Sequence, residues 1–303
     1  MPYIDPDNAD PRLIEQLARL YEQSAARLKA IVLNPPGSTD ASRQFNHARA
    51  AGQLAQVNQE IARLKKNAAD WIGPSLKKSV DKGIATADEQ AASAGLRDSG
   101  IKGSFDLIDR RAIQIIAADT YDDIAKSADS MGRVASRALR RMADNGLTRK
   151  QVNDVIARGI IEGKPDQAIK ALQADLQKIH GEKVVIPTRS GGVMTFDTDY
   201  YGRMVANSRM REATVKARHE RLIDIGADLV KVIGRISKNP CSLLLNHIFS
   251  LSGKDKKYPA FSTVSDGQLP YKLFHPNCSK STAPFIEGLS KDTSGRQEKA
   301  AAA

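Results

Sequence analysis

Leu54, Val57, Ile61, Leu64, Ala68 and Trp71 recur in alternating steps of three and four, a spacing that gathers side chains on one stripe of an α-helix and on neither face of a strand. Such a stripe needs a cover, either another helix of the chain or the surface of another protein. The preceding residues offer the first. Asp10-Pro11 supplies an N-cap and an N1 proline, and Leu13, Leu17, Leu20, Tyr21, Leu28 and Ile31 repeat near helical spacing until Asn34-Pro35-Pro36-Gly37 stops them. Two long amphipathic helices joined by a Pro-Pro-Gly turn predict an antiparallel hairpin, its second helix opening after Thr39-Asp40 and closing at Gly73-Pro74. Composition points the same way: 41% hydrophobic residues with only 5% aromatics favours Ala/Leu/Ile helix seams over aromatic-rich sheets. The expected class is α+β and predominantly helical: a long-helix hairpin at the N-terminus, a basic helical middle and a small C-terminal α+β module.

Downstream, Ser75 to Gly103 reads as a weaker helix and a connection. Helical patterning returns from Phe105 to Ala143, with a candidate break near Ser130, and stops at Asn145-Gly146, where a left-handed cap costs little. Thr148 and Gln151 fit a capping box ahead of Val152, Val155 and Ile156. Pro165 opens a helix whose stripe is Ile169, Leu172, Leu176 and Ile179, ending at Gly181. The pattern then changes: VVIPTRSGGVMTF is β-branched, with Ser190-Gly191-Gly192 as a hairpin turn and Pro187 marking an edge. Thr198 or Asp199 caps a helix to Ile225, whose inner face reads Tyr201, Val205, Ser208, Glu212, Val215, His219, Leu222, and Gly226 closes it. Residues 228–237 read as a strand, Asn239-Pro240 as a turn and residues 247–253 as the partner strand. The polar stretch after Leu289 has nothing to bury and is expected to be disordered. The segmentation expected is 1–100 for docking, 101–182 basic and helical, 183–289 the α+β module, and 290–303 the tail.

A formal charge of +11 and a pI near 9.6 direct attention to polyanions, nucleic acid before anionic membrane. The N-terminus lacks a basic region followed by an apolar one, and no run approaches the roughly 18 apolar residues of a spanning helix, so synthesis in the cytosol without membrane insertion is expected. Between residues 131 and 158, Arg133, Arg137, Arg140, Arg141, Arg149, Lys150 and Arg158 face only Asp144 and Asp154. The first four stand at i, i+4, i+7 and i+8, one helix face with no acidic i+4 partner among them, and repel one another unless an anion is near. A second basic helix carries Arg203, Arg209, Arg211, Lys216, Arg218 and Arg221 against Glu212 and Glu220. Arg133, Arg137, Arg140, Arg141, Arg209, Arg211 and Arg218 are therefore the candidate contacts to double-stranded DNA. Without interleaved aromatics or a base-reading motif, such contact is sequence-neutral and salt-sensitive. No nucleotide-binding glycine fingerprint occurs, since Gly191-Gly192 lacks the required spacing.

The motif LFHPNCSKSTAPF sets His275 three residues before Cys278, and these plus Cys241 and His247 are the only metal candidates. Tetrahedral zinc takes four nitrogen or sulfur ligands, usually as short-range pairs, and neither pair here is a CxxC. A thiol enzyme would need an imidazole base and a lowered cysteine pKa; Lys272 and Lys280 supply charge but no third orienting group stands out. The reading that outweighs both makes Pro276 the fixer of the turn and the two cysteines small buried hydrophobes. Two cysteines also exclude a disulfide scaffold and suit a reducing compartment. Glu212 and His219 share a helix face, yet two turns separate them, and loop anchoring rather than acid–base catalysis is expected. No cofactor is called for.

From Phe196 onward, TDYYGRMVANSRMREATVKARHERLIDIGADLVKVIG, then NPCS, then FSLSGKDKKYPAF, then FHPNCSKSTAPF follow one another with gaps that resemble the phage Mu F-like minor head protein family (phage head morphogenesis, minor capsid protein 2). The resemblance covers about 100 residues well and fades back towards Ile101. It implies a non-enzymatic virion component, present in several copies, that assembles at the portal vertex in head morphogenesis or DNA handling, with portal and connector proteins as partners. Where the family often shows a CxxC, this chain has Cys241-Ser-Leu-Leu244, and where it shows a second histidine after HPNC, this chain has Lys280. Both departures favour the buried-hydrophobe reading of the cysteines. Under this resemblance the seam of Leu54, Val57, Ile61, Leu64 and Trp71 is expected to dock on another virion protein. The alternatives are a cytosolic nucleic-acid-binding protein and a zinc-dependent hydrolase or nuclease.

Overall fold

The computed structural model describes residues 7–34, 43–96, 110–158, 166–188, 191–265, 273–274 and 278–288. The Pro-Pro-Gly turn, Pro165, Ser190, His275 and the tail expected at 290–303 lie outside them. Helix predominates: α1 (Pro11–Val32), α2 (Arg43–Ser93), α3 (Arg110–Asn145), α4 (Arg149–Arg158), α5 (Asp166–His180), α6 (Thr198–Asp224) and the short α7 (Ser262–Ser265). The strands are β1 (Lys183–Pro187), β2 (Val193–Asp197), β3 (Leu229–Gly234), β4 (Ile248–Ser250) and β5 (Lys280–Pro284). This is the expected helical α+β class. The chain forms two compact units, neither of them continuous in sequence: residues 12–72 with 118–205, and residues 1–11 with 73–117 and 206–303.

In the unit of residues 12–72 and 118–205, α1 and the first part of α2 make the expected antiparallel hairpin. Gln53 Nε2 donates to the Ile31 carbonyl at 3.0 Å and Ser24 Oγ donates to Glu60 Oε1 at 2.9 Å, so residue numbers fall along one helix as they rise along the other. Its stripe is covered within the chain: Val57, Ile61, Leu64 and Trp71 are buried, and Ile61 lies against α3, where a methyl added at Gly132 would stand 2.9 Å from its Cγ1. The expectation that these residues dock on a second protein is therefore corrected. Their apolar area is already removed from water, and only Leu54, half-buried, keeps part of its surface.

The local signals in this unit act as expected. Thr148 N–H donates to Gln151 Oε1 at 2.9 Å and Gln151 N–H to Thr148 Oγ1 at 3.4 Å, a reciprocal capping box that starts α4. Gly146 takes φ +58°, and the next amide, Leu147, donates back to Met142 O at 3.0 Å, the Schellman ending of α3. Ser130 does not break α3; its hydroxyl instead donates to the Val185 carbonyl of β1. β1 and β2 pair antiparallel with Lys183 opposite Asp197 and Pro187 opposite Val193, and the turn closes through Thr188 N–H to Gly192 O at 2.8 Å.

α2 does not stop at Gly73-Pro74. A proline inside a helix removes one hydrogen bond and crowds the carbonyl four residues back, at a cost of about 3 kcal/mol. Past it, however, Leu76, Val80, Ile84, Ala87 and Ala91 continue the buried stripe to the helix end. Burying a large aliphatic side chain contributes about 1.5–3 kcal/mol, so Leu76, Val80 and Ile84 together outweigh one proline.

In the unit of residues 1–11, 73–117 and 206–303, the end of α2 packs on α6 so closely that a methyl at Gly83 would meet the Thr214 carbonyl at 2.3 Å. A three-stranded antiparallel sheet, ordered β4-β3-β5, completes this unit. β4 is the partner expected for β3. β5 was not foreseen. Its core holds Leu222, Val230, Val232, Leu244, Phe249, Phe261, Val264 and Leu273 together with Cys241 and Cys278.

Candidate functional site

On α3 the four arginines divide. Arg137 and Arg141 turn to Asp175 of α5: Arg137 Nη2 stands 3.1 Å from Oδ1, Arg141 Nη1 stands 2.5 Å from Oδ2, and Arg141 also donates to Ala171 O at 2.9 Å. The Asp175 side chain is 5% exposed. The anion this cluster requires is thus supplied, for half of it, by the protein. Arg133 and Arg140 remain exposed and form no ion pair among the described residues. Sequence reading missed Asp175, although it stands three residues after Leu172 and one before Leu176, where an acid in an apolar stripe calls for a buried partner. Glu60 repeats the pattern between Val57 and Leu64: buried, it takes Ser24 Oγ–H, Arg27 at 3.3 Å and Arg63 at 3.0 Å.

The arginines of α6 require a correction. Arg211 is buried and its guanidinium donates to the carbonyls of Cys278 and Lys280. Arg218 is fully buried, 2.7 Å from Asp7 Oδ1, and donates to Ser281 Oγ at 3.1 Å and Thr282 Oγ1 at 2.6 Å. Ser281 Oγ in turn donates to Asp7 Oδ2 at 2.5 Å. Neither guanidinium is presented to an outside polyanion. Arg209, half-buried, engages Glu212 at 3.0 Å. Glu212, expected on the inner face of this helix, is instead exposed and shares no buried site with His219. His219 is buried, its ring edge-on to Phe261 at 4.7 Å and its Nε2 2.8 Å from Thr282 Oγ1. Burial, then the neighbouring Arg218 and Lys216 charges, hold its pKa well below the usual imidazole value.

This network explains β5. The sequence KSTAP has no apolar alternation, yet Lys280, Ser281 and Thr282 are fully buried. Polar side chains are tolerated inside because partners meet them: Arg218 and Asp7 at Ser281, Arg218 and His219 at Thr282, and the hydroxyls of Ser237 and Ser279 at Lys280. Asp7 was missed because nothing within its own neighbourhood in sequence signals a partner 274 residues away.

The cysteines are brought together. Cys278 Sγ lies 3.9 Å from Cys241 Sγ, both thiols reduced and buried. Cys241 comes from a single 3-10 turn, Pro240–Leu244, and Cys278 from the approach to β5. Burial, and then the adjacent Cys278, push the Cys241 thiol up, the wrong direction for a resting nucleophile. His247, half-buried and with its pKa pushed down by burial, lies tilted against Phe249, ring centroids 6.4 Å apart. Among the described residues no group of three or more His, Cys, Asp or Glu side chains is placed to hold a metal ion. An open groove of about 620 Å³ in the other unit is lined by Glu22, Glu182, Asp197 and Asp199 with His180, and Lys29 and Lys183 pair with Glu182 and Asp197 at its edge. No helix among the described residues is long and apolar enough to cross a membrane.

No curated protein and no solved structure matches the chain. Residues 166–302, a little under half of the chain, match the family model described as phage minor capsid protein 2. The match begins at α5, upstream of the residues on which the resemblance was first read, and runs through α6, the three-stranded sheet and both cysteines. Over that stretch the chain is similar to phage minor capsid proteins.

Proposed function

We propose that the protein is a structural, non-enzymatic component of a tailed-bacteriophage head, present in several copies at the portal vertex and touching packaged or ejecting DNA without reading its sequence. The family match over residues 166–302 carries the structural role. The DNA contact is supported by the net charge of +11 and by Arg133 and Arg140, which are exposed on one face of α3 and form no ion pair with a described residue. Phosphate contact needs only such unpaired, solvent-facing cations, and binding of this kind releases counterions without discriminating bases. The non-enzymatic reading is supported by burial: Thr282, His219 and Asp7 are all buried, and Arg218 holds both Thr282 Oγ1 and the Asp7 carboxylate. The docking face for the portal is not the seam of Val57, Ile61, Leu64 and Trp71, which the fold has consumed.

Chemical cross-linking of purified heads, read by mass spectrometry, tests the placement. Links between exposed lysines of this chain, such as Lys66 and Lys77, and the portal protein are expected. Links exclusively to the major shell protein would overturn the portal assignment.

A further inference from the structure

Two thiols from segments 37 residues apart meet inside one core, and nothing in the proposed function uses them. Both are largely covered, at 2% exposed for Cys241 and 3% for Cys278, so exchange with an outside disulfide is slow. Their separation of 3.9 Å is van der Waals contact between sulfurs, so a shift confined to side-chain torsions and slight backbone adjustment brings them to bonding distance. The segments they join matter. Cys241 follows β3, and Cys278 stands two residues before β5, the strand paired with β3 from Val230–Pro284 to Gly234–Lys280. Between the cysteines lie β4 and α7.

We infer that Cys241 and Cys278 form an oxidisable dithiol staple, which a small-molecule disulfide converts to an intramolecular disulfide that locks β5 and its approach onto the β3 side of the sheet. In the first step one thiolate attacks a sulfur of oxidised glutathione; the glutathione S–S bond breaks, a protein–glutathione disulfide forms and one glutathione thiolate leaves. In the second, the other cysteine thiolate attacks the protein sulfur of that mixed disulfide and expels the second glutathione. The protein is oxidised by two electrons, the glutathione disulfide is reduced by two, and the two thiol protons end on the two glutathione thiols.

The surroundings suit a slow, poised reaction rather than a fast sensor. Burial and the neighbouring thiol disfavour the Cys241 thiolate, while the Lys280 ammonium, buried and held at 3.3 Å from Ser237 Oγ and 3.2 Å from Ser279 Oγ, favours it. In the reduced state β5 depends on its register with β3 and on the grips of Arg211 and Arg218; the covalent bond adds a tie that heat and denaturant do not loosen. The staple stands apart from the reading of the protein as a head component and does not require it.

The test uses the purified full-length chain equilibrated in glutathione redox buffer under native conditions, then alkylated and mapped by mass spectrometry. Expected are a monomer lighter by two hydrogens, a peptide linking Cys241 to Cys278, and a thermal midpoint about 8 °C above that of the reduced chain. Cys241→Ser and Cys278→Ser should each abolish the link and the shift together. Glutathione adducts without closure, disulfide-linked dimers, or thiols that stay free in the folded chain while the denaturant-unfolded chain oxidises in the same buffer would each overturn the staple.

Discussion

Replacing Asp7 by Ala should destabilise the unit that contains the three-stranded sheet by about 3–5 kcal/mol, the usual cost of leaving a buried charge without its partner. The Asp7 and Arg218 side chains are both 0% exposed and lie 2.7 Å apart, and the carboxylate also receives Ser281 Oγ–H. Without it, the fully buried guanidinium loses the carboxylate 2.7 Å away and leans on the neutral oxygens of Ser281 and Thr282. Substituting Arg218 by Met in the same chain should recover part of the loss, because removing both charges is far cheaper than stranding one. The single tryptophan, Trp71, belongs to the other unit, so the effect should be followed by amide hydrogen exchange in β3 and β5 rather than by fluorescence. A change below about 1 kcal/mol would mean that the pair is not buried as described.

The same clamp gives this unit an acid-sensitive term. His219 has its folded pKa depressed well below 6.5, so above 6.5 both states hold it neutral and its contribution is fully present. As pH falls below 6.5 the unfolded chain binds a proton that the folded chain refuses, and stability drops by about 1.4 kcal/mol per pH unit until the folded value is reached. His219→Gln should flatten that slope, and an unchanged slope would place the titrating group elsewhere.

For DNA, changing Arg133 and Arg140 together to Ala should weaken duplex binding about 50-fold near 0.1 M salt and reduce the slope of log affinity against log salt by about 2, since each lost phosphate contact removes roughly 0.9. Arg209→Ala, whose guanidinium is engaged by Glu212, is the matched control and should leave the slope unchanged. Equal slopes for the wild type and the Arg133/Arg140 variant would remove this face of α3 from the interaction. Arg137 and Arg141 are poor probes: truncating them strands Asp175, 5% exposed, and mixes stability with affinity.

What the sequence discloses is what neighbours within a few residues decide. The Thr148–Gln151 box, the glycine endings at 146 and 226, the β1–β2 hairpin and the β3–β4 pairing each depend on short-range geometry, and each is present. Pro74 shows where such reading fails. The proline is a local breaker, but the stripe through Leu76, Val80 and Ile84 continues beyond it and prevails. Partly legible were Glu60 and Asp175, acids set within apolar stripes, which announce a buried partner without naming it. The clamp of Asp7, Arg218, Ser281 and Thr282 was not legible at all, because strand β5 is buried by polar contacts across the length of the chain and carries no hydrophobic period of its own. Charge counting placed Arg211 and Arg218 outside for the same reason: it registers sign and spacing, while exposure is settled by distant residues.

As a proposed head component, this protein should be built into the virus particle. Quantitative mass spectrometry of purified, DNA-filled particles tests it most directly. The chain is expected there in a fixed, low ratio to the major shell protein, at several copies per particle. Its absence from particles, with the protein left free in the lysate, would contradict the account.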